Sequence, residues 1–166
     1  SNGASRAVAL SFKSLTDNDF VTEMNKAAKI IGLADTYFIN STGLDVGGEY
    51  AGAYSTAYDM ARLFKYLLKN NSRLLAATRE TEIRRRAENN TIYLGYNTNQ
   101  VLGEIPGLLA SKTGFTDNAG GNLAVIFDAG LRDPYIAIVL GSSKEGRFSD
   151  IKKLVEATIK YKILLE

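Results

Sequence analysis

The chain has 166 residues, a formal net charge of +2 from 20 basic and 18 acidic side chains, and 45% hydrophobic residues. A chain of this length and composition buries a hydrophobic core on folding, which excludes a disordered segment or a coiled coil. Histidine and cysteine are both absent, which excludes a Ser-His-Asp triad, a thiolate nucleophile, a disulfide framework and a zinc site with imidazole or sulfur ligands. No apolar run approaches the roughly 20 residues of a membrane-spanning helix.

The first half of the chain predicts two amphipathic helices. The first follows cap-forming residues at Asp17 to Asp19, carries apolar residues at helical spacing from Phe20 to Ile31, and stops at Gly32. The second begins after Thr56, which forms a capping-box pattern with Asp59. Between them, residues 35–54 contain four glycines and predict a long ordered loop.

Strands dominate the pattern of the second half. Short apolar runs separated by turn residues predict strands at Glu82 to Ala87, Thr91 to Leu94, Leu108 to Lys112, Asn122 to Phe127 and Tyr135 to Leu140. Leu123 to Phe127 and Tyr135 to Leu140 are apolar throughout, which predicts that both faces of these strands are buried. A closing helix after Ser149-Asp150 would cover one face. The predicted fold class is α+β, with an antiparallel sheet packed between helices.

The domain prediction is one unit over residues 1–166, mainly helical over 1–72 and with the sheet and closing helix over 73–166. Nucleic-acid binding is not expected, because the densest basic run, Arg84 to Arg86, is flanked by Glu82 and Glu88. A cysteine-free chain suits an oxidising cell envelope but would also serve in the cytoplasm.

One segment has side chains suited to anion binding at the end of a predicted strand, Ser111-Lys112-Thr113-Gly114-Phe115-Thr116. Lys112 would supply a positive charge, Thr113 and Thr116 hydroxyl donors, and Gly114 would let a substrate backbone approach closely. The alternative interpretation is a glycine-containing turn with an exposed lysine, since short motifs match by chance often.

Several separated segments together resemble the D-alanyl-D-alanine carboxypeptidases, which are penicillin-binding serine peptidases of the bacterial cell envelope. They follow the family's order and similar spacing, and they are Asn2-Gly3-Ala4-Ser5, Phe38 to Asp45, Tyr54 to Ala61, Asn97-Thr98-Asn99, Gly107 to Thr116 and Ala119 to Leu123. The resemblance therefore covers nearly the whole chain and implies a β-lactamase/transpeptidase-like fold.

The resemblance implies a hydrolase that removes the terminal D-alanine of peptidoglycan stem peptides through an acyl-enzyme on serine, without a metal or organic cofactor. Lys112 would bind the terminal carboxylate and help to place protons, and Thr113 would hydrogen bond to that carboxylate. The backbone N–H of Phe115 would be an oxyanion donor, worth roughly 3 to 4 kcal/mol of transition-state stabilisation. Asn2 fits the asparagine of the family's Ser-x-Asn element.

The family's nucleophile segment has no convincing match. The family uses a Ser-x-x-Lys pair, and the plain match here, Ser149 with Lys152, falls at the start of the predicted closing helix, where an N-cap serine and a solvated lysine explain it. We therefore expect the nucleophile and the first strands of the sheet upstream of Ser1. The chain alone should then not turn over substrate, and an unpaired sheet edge should favour marginal stability or self-association.

Two alternatives share the fold. One is a non-catalytic peptidoglycan-binding module without the nucleophile. The other is a serine β-lactamase, which would need a water-activating carboxylate that the sequence does not place. The resemblance implies a peptidoglycan stem peptide as partner, β-lactams as inhibitors of the full domain, and a location outside the cytoplasmic membrane, periplasmic or extracellular.

Overall fold

The computed structural model describes residues 2–11, 16–130 and 132–164, with side chains from residue 4 onward. The helices are α1 (Asn2–Ser11), α2 (Asp17–Ile31), α3 (Ala57–Asn71), α4 (Arg73–Ala76) and α5 (Gly146–Ile163), with 3-10 turns at Ala77–Arg79 and Leu102–Glu104. The strands are β1 (Tyr37–Phe38), β2 (Ala53–Tyr54), β3 (Glu82–Arg86), β4 (Ile92–Tyr96), β5 (Leu108–Thr116), β6 (Gly120–Asp128) and β7 (Pro134–Ser142).

The core forms on both faces of an antiparallel sheet in the order β5-β6-β7. Side chains of a strand alternate between the two faces. Leu123, Val125 and Phe127 of β6 join a buried cluster with Ile151 and Val155 of α5. Ala124 and Ile126, on the opposite face, join a second cluster with Phe64 of α3 and Leu75 of α4. The predicted sheet between helices is thereby confirmed.

The N-cap of helix α2 lies one residue before the earliest predicted cap, Asp17. The N-cap is Thr16, whose Oγ1 accepts from the backbone N–H of Asp19 at 3.2 Å, while the Asp19 carboxylate accepts from the Thr16 N–H at 2.9 Å. This reciprocal capping box satisfies two of the free N–H groups of the first turn. The predicted end is correct, because Gly32 adopts the left-handed region with a φ of 81°.

Helix α3 has half of its predicted capping box. Thr56 Oγ1 accepts from the Asp59 N–H at 3.1 Å. The Asp59 carboxylate, however, accepts from the Asp35 N–H at 2.8 Å and from Thr36 Oγ1 at 2.7 Å, in a site where Asp59 is 1% exposed. Asp59 therefore fixes the beginning of the glycine-rich loop instead of closing the box.

The loop over residues 35–54 is ordered, as predicted, and contains a short ladder in addition. Strands β1 and β2 pair antiparallel with Tyr37 opposite Tyr54. Inside the loop, Asn40 Oδ1 accepts from the backbone N–H groups of Thr42 and Gly43 at 3.0 and 2.7 Å. These side-chain to backbone bonds satisfy N–H groups of the loop that have no helix or sheet hydrogen bond.

Most boundaries of the second half differ from prediction by one or more residues, and two of these differences bear on the site. Strand β5 continues past Lys112 to Thr116, because residues 113–116 pair with residues 120–123 of β6. Helix α5 begins at Gly146, so Ser149 lies within the helix and is not its N-cap. Among the described residues, no helix has the length and apolar character that crossing a membrane requires.

Candidate functional site

A groove of about 280 Å³ lies between strand β5 and the end of the β3–β4 hairpin. Its lining residues come from the 3-10 turn after α4, from the hairpin and from β5, and they are Ala77, Thr78, Glu80, Ile83, Gly95, Tyr96, Asn97, Thr98, Ser111, Lys112 and Thr113. Strand β5 is at one end of the three-stranded sheet, and in the described part of the chain no strand pairs with its outer edge. An extended peptide could therefore pair with that edge.

Ser111 anchors the β5 side of the groove. It is 3% exposed, its Oγ donates to the Thr78 carbonyl at 3.0 Å, and its N–H donates to Thr78 Oγ1 at 3.1 Å. Because both polar groups of Ser111 are engaged, this residue fixes the strand and does not present a free hydroxyl.

Lys112 is the exposed cation of the groove, and its Nζ donates to the Thr113 carbonyl. Partial burial of the ammonium group lowers the pKa of Lys112, and the positive charge of Arg147 lowers it further. The Lys112 ammonium therefore gives up its proton more readily than a fully solvated lysine does.

Two threonines join the walls of the groove. Thr98 Oγ1 and Thr113 Oγ1 lie 2.5 Å apart in a hydrogen bond. The segment that carries Thr98 is fixed by Asn97, whose Nδ2 donates to the carbonyls of Thr78 and Glu80 at 2.9 and 3.0 Å. Thr98 belonged to a segment that carried the family resemblance, but the sequence alone did not identify it as a site residue.

Arg147 is the second residue that sequence reasoning missed. It lies in the first turn of α5, is 6% exposed, and donates from Nη1 to the Gly114 carbonyl at 2.5 Å. Since the closing helix was predicted to begin only after Ser149, Arg147 fell in the preceding turn, where the sequence gives no signal of a buried side chain.

The rest of the predicted substrate-binding segment continues along β5. A Cβ added at Gly114 would make an ordinary van der Waals contact with Asn122 Cβ at 3.6 Å, so close packing does not require glycine here. The Phe115 ring is exposed, and Lys144 Nζ lies 5.5 Å from its centroid. Thr116 Oγ1 accepts from the Ala119 N–H at 3.1 Å, so this hydroxyl oxygen holds the β5–β6 turn.

That turn is also tied to the glycine-rich loop. Asp45 Oδ2 accepts from the Asn118 N–H at 3.1 Å, and Asn118 Nδ2 donates to the Gly48 carbonyl at 3.4 Å. Asp45 therefore connects the glycine-rich loop to the end of the strand that carries Lys112.

The remaining residues that the sequence singled out are not among the described residues that line this groove. Asn2 is the first residue of α1, and its side chain lies outside the described residues. Ser149 Oγ donates to the Gly146 carbonyl at 2.9 Å, and Lys152 Nζ pairs with Glu104 at 2.7 Å. Ser149 and Lys152 are thus engaged elsewhere and line no part of the groove.

The groove brings together groups that suit an anion, but its described lining residues do not include a nucleophile within reach of a base. Lys112 offers a charge and the two threonines offer hydroxyl groups on the same side of an open strand edge. Ser111 is the serine among the described lining residues, and it is held by Thr78. Nucleophilic catalysis needs a hydroxyl within hydrogen-bond reach of a base. A reaction of this kind would therefore require groups beyond those that line the groove.

The chain is similar to several known penicillin-binding proteins and D-alanyl-D-alanine carboxypeptidases. D-alanyl-D-alanine carboxypeptidase DacF of Bacillus subtilis is 36% identical over 157 residues, which are 93% of this chain and 38% of that protein. The ampicillin-bound penicillin-binding protein D2 of Listeria monocytogenes is 36% identical with a TM-score of 0.71, over 83% of this chain and 55% of that one. A Streptomyces DD-transpeptidase mutant is 25% identical with a TM-score of 0.79, over 92% and 61% of the two chains.

The chain spans less than two fifths of the length of the curated DacF relative. The sequence profile of the D-alanyl-D-alanine carboxypeptidases matches residues 1–144, from α1 through the groove to the residues just before α5. With that match and the shared fold of its structural neighbours, the chain belongs to the D-alanyl-D-alanine carboxypeptidase family.

Proposed function

We propose that the protein containing this chain is a serine-type D-alanyl-D-alanine carboxypeptidase, which removes the terminal D-alanine of peptidoglycan stem peptides. The observation that carries the proposal is the placement of Lys112 and Thr113 on the open outer edge of β5, facing Thr98 across the groove. A peptide that pairs with this edge brings its terminal carboxylate to the cation and the hydroxyl groups.

Lys112 and Thr113 bind the terminal carboxylate, with Thr98 holding the Thr113 hydroxyl in place. Gly114 supports the same function, because neither close packing nor a left-handed backbone requires glycine at this position. Its missing side chain keeps the strand open for the substrate backbone. Thr116 contributes its hydroxyl hydrogen while its oxygen accepts from the turn.

The Phe115 N–H stabilises the oxyanion that forms when a serine hydroxyl attacks the carbonyl of the penultimate D-alanine. The serine ester forms as the peptide bond breaks, and the terminal D-alanine leaves with a proton delivered to its amine. Water then hydrolyses the ester and regenerates the serine. We propose that the serine and its lysine base lie in a segment outside residues 1–166, and that Asn2 is the asparagine of the family's Ser-x-Asn element.

The proposal extends to partners and place of action. The stem peptide is the substrate, and β-lactams inhibit the full domain by acylating the same serine. The ampicillin-bound form of the Listeria relative supports β-lactam binding. Action on peptidoglycan places the protein outside the cytoplasmic membrane, where its substrate is found. Residues 1–166 form part of one penicillin-binding domain, and the free edges of the sheet make self-association of the isolated chain the expected behaviour.

The test is covalent labelling by a fluorescent penicillin. The complete reading frame that encodes this chain is expressed beside the 166-residue chain, and labelled protein is resolved on a denaturing gel. Labelling of the complete product alone supports the proposal. If neither product is labelled, a non-catalytic peptidoglycan-binding module explains the chain better, and labelling of the short chain would contradict the upstream position of the nucleophile. Rapid release of the label by hydrolysis would instead indicate a serine β-lactamase.

A further inference from the structure

Arg147 is a buried cation whose environment the fold alone does not explain. It is 6% exposed, and its Nε is buried with no hydrogen-bond partner among the described residues. The guanidinium carbon lies 4.7 Å from the centroid of the Phe148 ring. Within the described part of the chain no carboxylate forms an ion pair with it. Burying a cation without a carboxylate is costly, so Arg147 is a poor choice for stability alone.

The hydrogen bond that Arg147 does make is directed at one peptide unit. Its Nη1 donates to the Gly114 carbonyl oxygen at 2.5 Å. The peptide unit that contains the Gly114 carbonyl also contains the Phe115 N–H, and resonance couples the two ends of a peptide bond. A charged donor at the carbonyl oxygen withdraws electron density from the nitrogen, which makes the N–H a stronger donor, as in cooperative hydrogen-bond chains.

We propose that Arg147 is a positioning residue of the acylation step, which acts from α5 through the Gly114–Phe115 peptide unit to strengthen and orient the Phe115 N–H as an oxyanion donor. This inference rests on the proposed function, because the Phe115 N–H has this role only in an acyl-transfer site. It differs from substrate binding, since Arg147 is buried and bonded to backbone oxygen, whereas Lys112 is exposed in the groove.

A second consequence gives an independent readout. The charge of Arg147 lowers the pKa of Lys112, after the larger effect of partial burial. The other ionisable groups facing the groove are Glu80 after the 3-10 turn and Tyr96 of β4. Removing the charge of Arg147 leaves both in place and raises the pKa of Lys112. The shift reports that the charge has been removed, and the division of the effect between kcat and KM then tests the positioning role.

The experiment uses the complete protein with the substitutions Arg147→Met and Arg147→Gln, and with Arg84→Met on the exposed strand β3 as the matched control. Second-order acylation rates with a fluorescent penicillin and kcat and KM on a D-alanyl-D-alanine peptide are measured across pH. For Arg147→Met we expect acylation and kcat to fall roughly 10- to 100-fold, less than the full loss of an oxyanion donor, with a smaller change in KM. The alkaline limb of the pH profile should move to higher pH.

Arg147→Gln keeps an uncharged donor and is the variant to use if Arg147→Met does not fold. It should lower acylation by a smaller factor and raise the alkaline limb in the same direction. Rates and pH limbs equal to those of Arg84→Met in a folded variant would overturn the role of Arg147 while leaving the proposed function intact. A loss confined to KM would do the same. Failure of the unsubstituted complete protein to react with penicillin would overturn both.

Discussion

The two hairpins that face each other across the groove are both well-formed antiparallel ladders, yet they differ completely in burial. Strands β3 and β4 pair through five residues each, but Tyr93 is 60% exposed and Tyr96 is 71% exposed. Strand β6, by contrast, contains Val125, Ile126 and Phe127 at 0% exposure between two layers of helix. Ladder hydrogen bonds exchange for bonds to water at small net gain, so packing gives the two hairpins different stabilities.

This difference gives the groove one firmly held wall and one weakly held wall. Ser111, Lys112 and Thr113 belong to the strand that pairs with β6, whereas Ile83 and Tyr96 belong to the exposed hairpin. The groups proposed to bind the carboxylate lie on the firm wall. The hairpin can shift on binding at little energetic cost, because few buried contacts oppose its movement.

The largest contrast should appear in the free energy of unfolding. Phe127→Ala removes a fully buried ring that stacks on Tyr135 at a centroid distance of 6.0 Å, and should cost about 3 to 5 kcal/mol. Tyr93→Ala, in the exposed hairpin, should cost less than about 1 kcal/mol. Urea unfolding followed by circular dichroism compares the two, and equal losses would remove the distinction between the hairpins.

The next effect concerns activity and the firm wall. Lys112→Ala in the complete protein should lower penicillin acylation by roughly 100-fold or more, because the anionic group then meets no ammonium in the groove. Lys152→Ala is the control, since that side chain pairs with Glu104 outside the groove and should leave acylation unchanged. Stopped-flow labelling measures the acylation rates of both variants. Similar decreases in the two rates would contradict the assignment of Lys112 to carboxylate binding.

A buried polar contact should contribute more to the free energy of unfolding than an exposed one, as is also expected for apolar contacts. Asp59→Ala leaves the Asp35 N–H and the Thr36 hydroxyl without their buried acceptor, which should cost about 1 to 3 kcal/mol per group. Glu23→Ala breaks only the exposed pair with Lys26 and should cost about 0.2 to 1 kcal/mol. Denaturant midpoints measure both, and an Asp59 variant as stable as the Glu23 variant would be inconsistent with a buried anchor.

The pH dependence of labelling follows from Lys112. Its pKa is lowered by partial burial and then by Arg147, and carboxylate binding needs the protonated ammonium. Penicillin capture should therefore decline as pH rises through this lowered pKa, below the range in which a solvated lysine deprotonates. Labelling rates measured at increasing alkaline pH test this, provided that unfolding is monitored in parallel, and a decline only in the ordinary lysine range would argue against it.

The smallest effect is expected at the exposed start of α2. Hydrogen bonds from Thr16 lower the pKa of Asp19, so its contribution to stability is complete above the pKa of the unfolded chain and is lost as pH falls through the folded-state value. Asp19→Asn should remove this part of the acid sensitivity. Urea midpoints at neutral and acidic pH are compared with those of Asp117→Asn, in the exposed β5–β6 turn, and identical profiles would count against the capping box.

The sequence predicted helix boundaries correctly where the capping contacts join residues that are close in sequence. Gly32 and Thr56 marked helix boundaries correctly because cap geometry involves neighbours within four residues. Thr16 was missed because three further cap-forming residues follow it directly, although Thr16 has the same spacing to Asp19 that Thr56 has to Asp59.

Contacts across long separations could not be predicted in this way. Asp59 bonds to Asp35, 24 positions away, and Arg147 bonds to Gly114, 33 positions away. The extension of β5 through Thr113 and Gly114 likewise depends on pairing with β6, since the glycine interrupts the run of residues that favour a strand. Lys112 and its neighbours were identified through family resemblance, whereas Arg147 needed the folded arrangement.

The exposed β3–β4 hairpin also provides a handle for watching the groove. Its connection contains Asn90 in the left-handed region with a φ of 64°, and Asn89 beside it is exposed. Because the chain has no cysteine, a single thiol introduced by Asn89→Cys would take one fluorophore without competing sites. Such a probe would turn the weakly held wall into an optical reporter, whose signal follows the hairpin as ligands enter and leave.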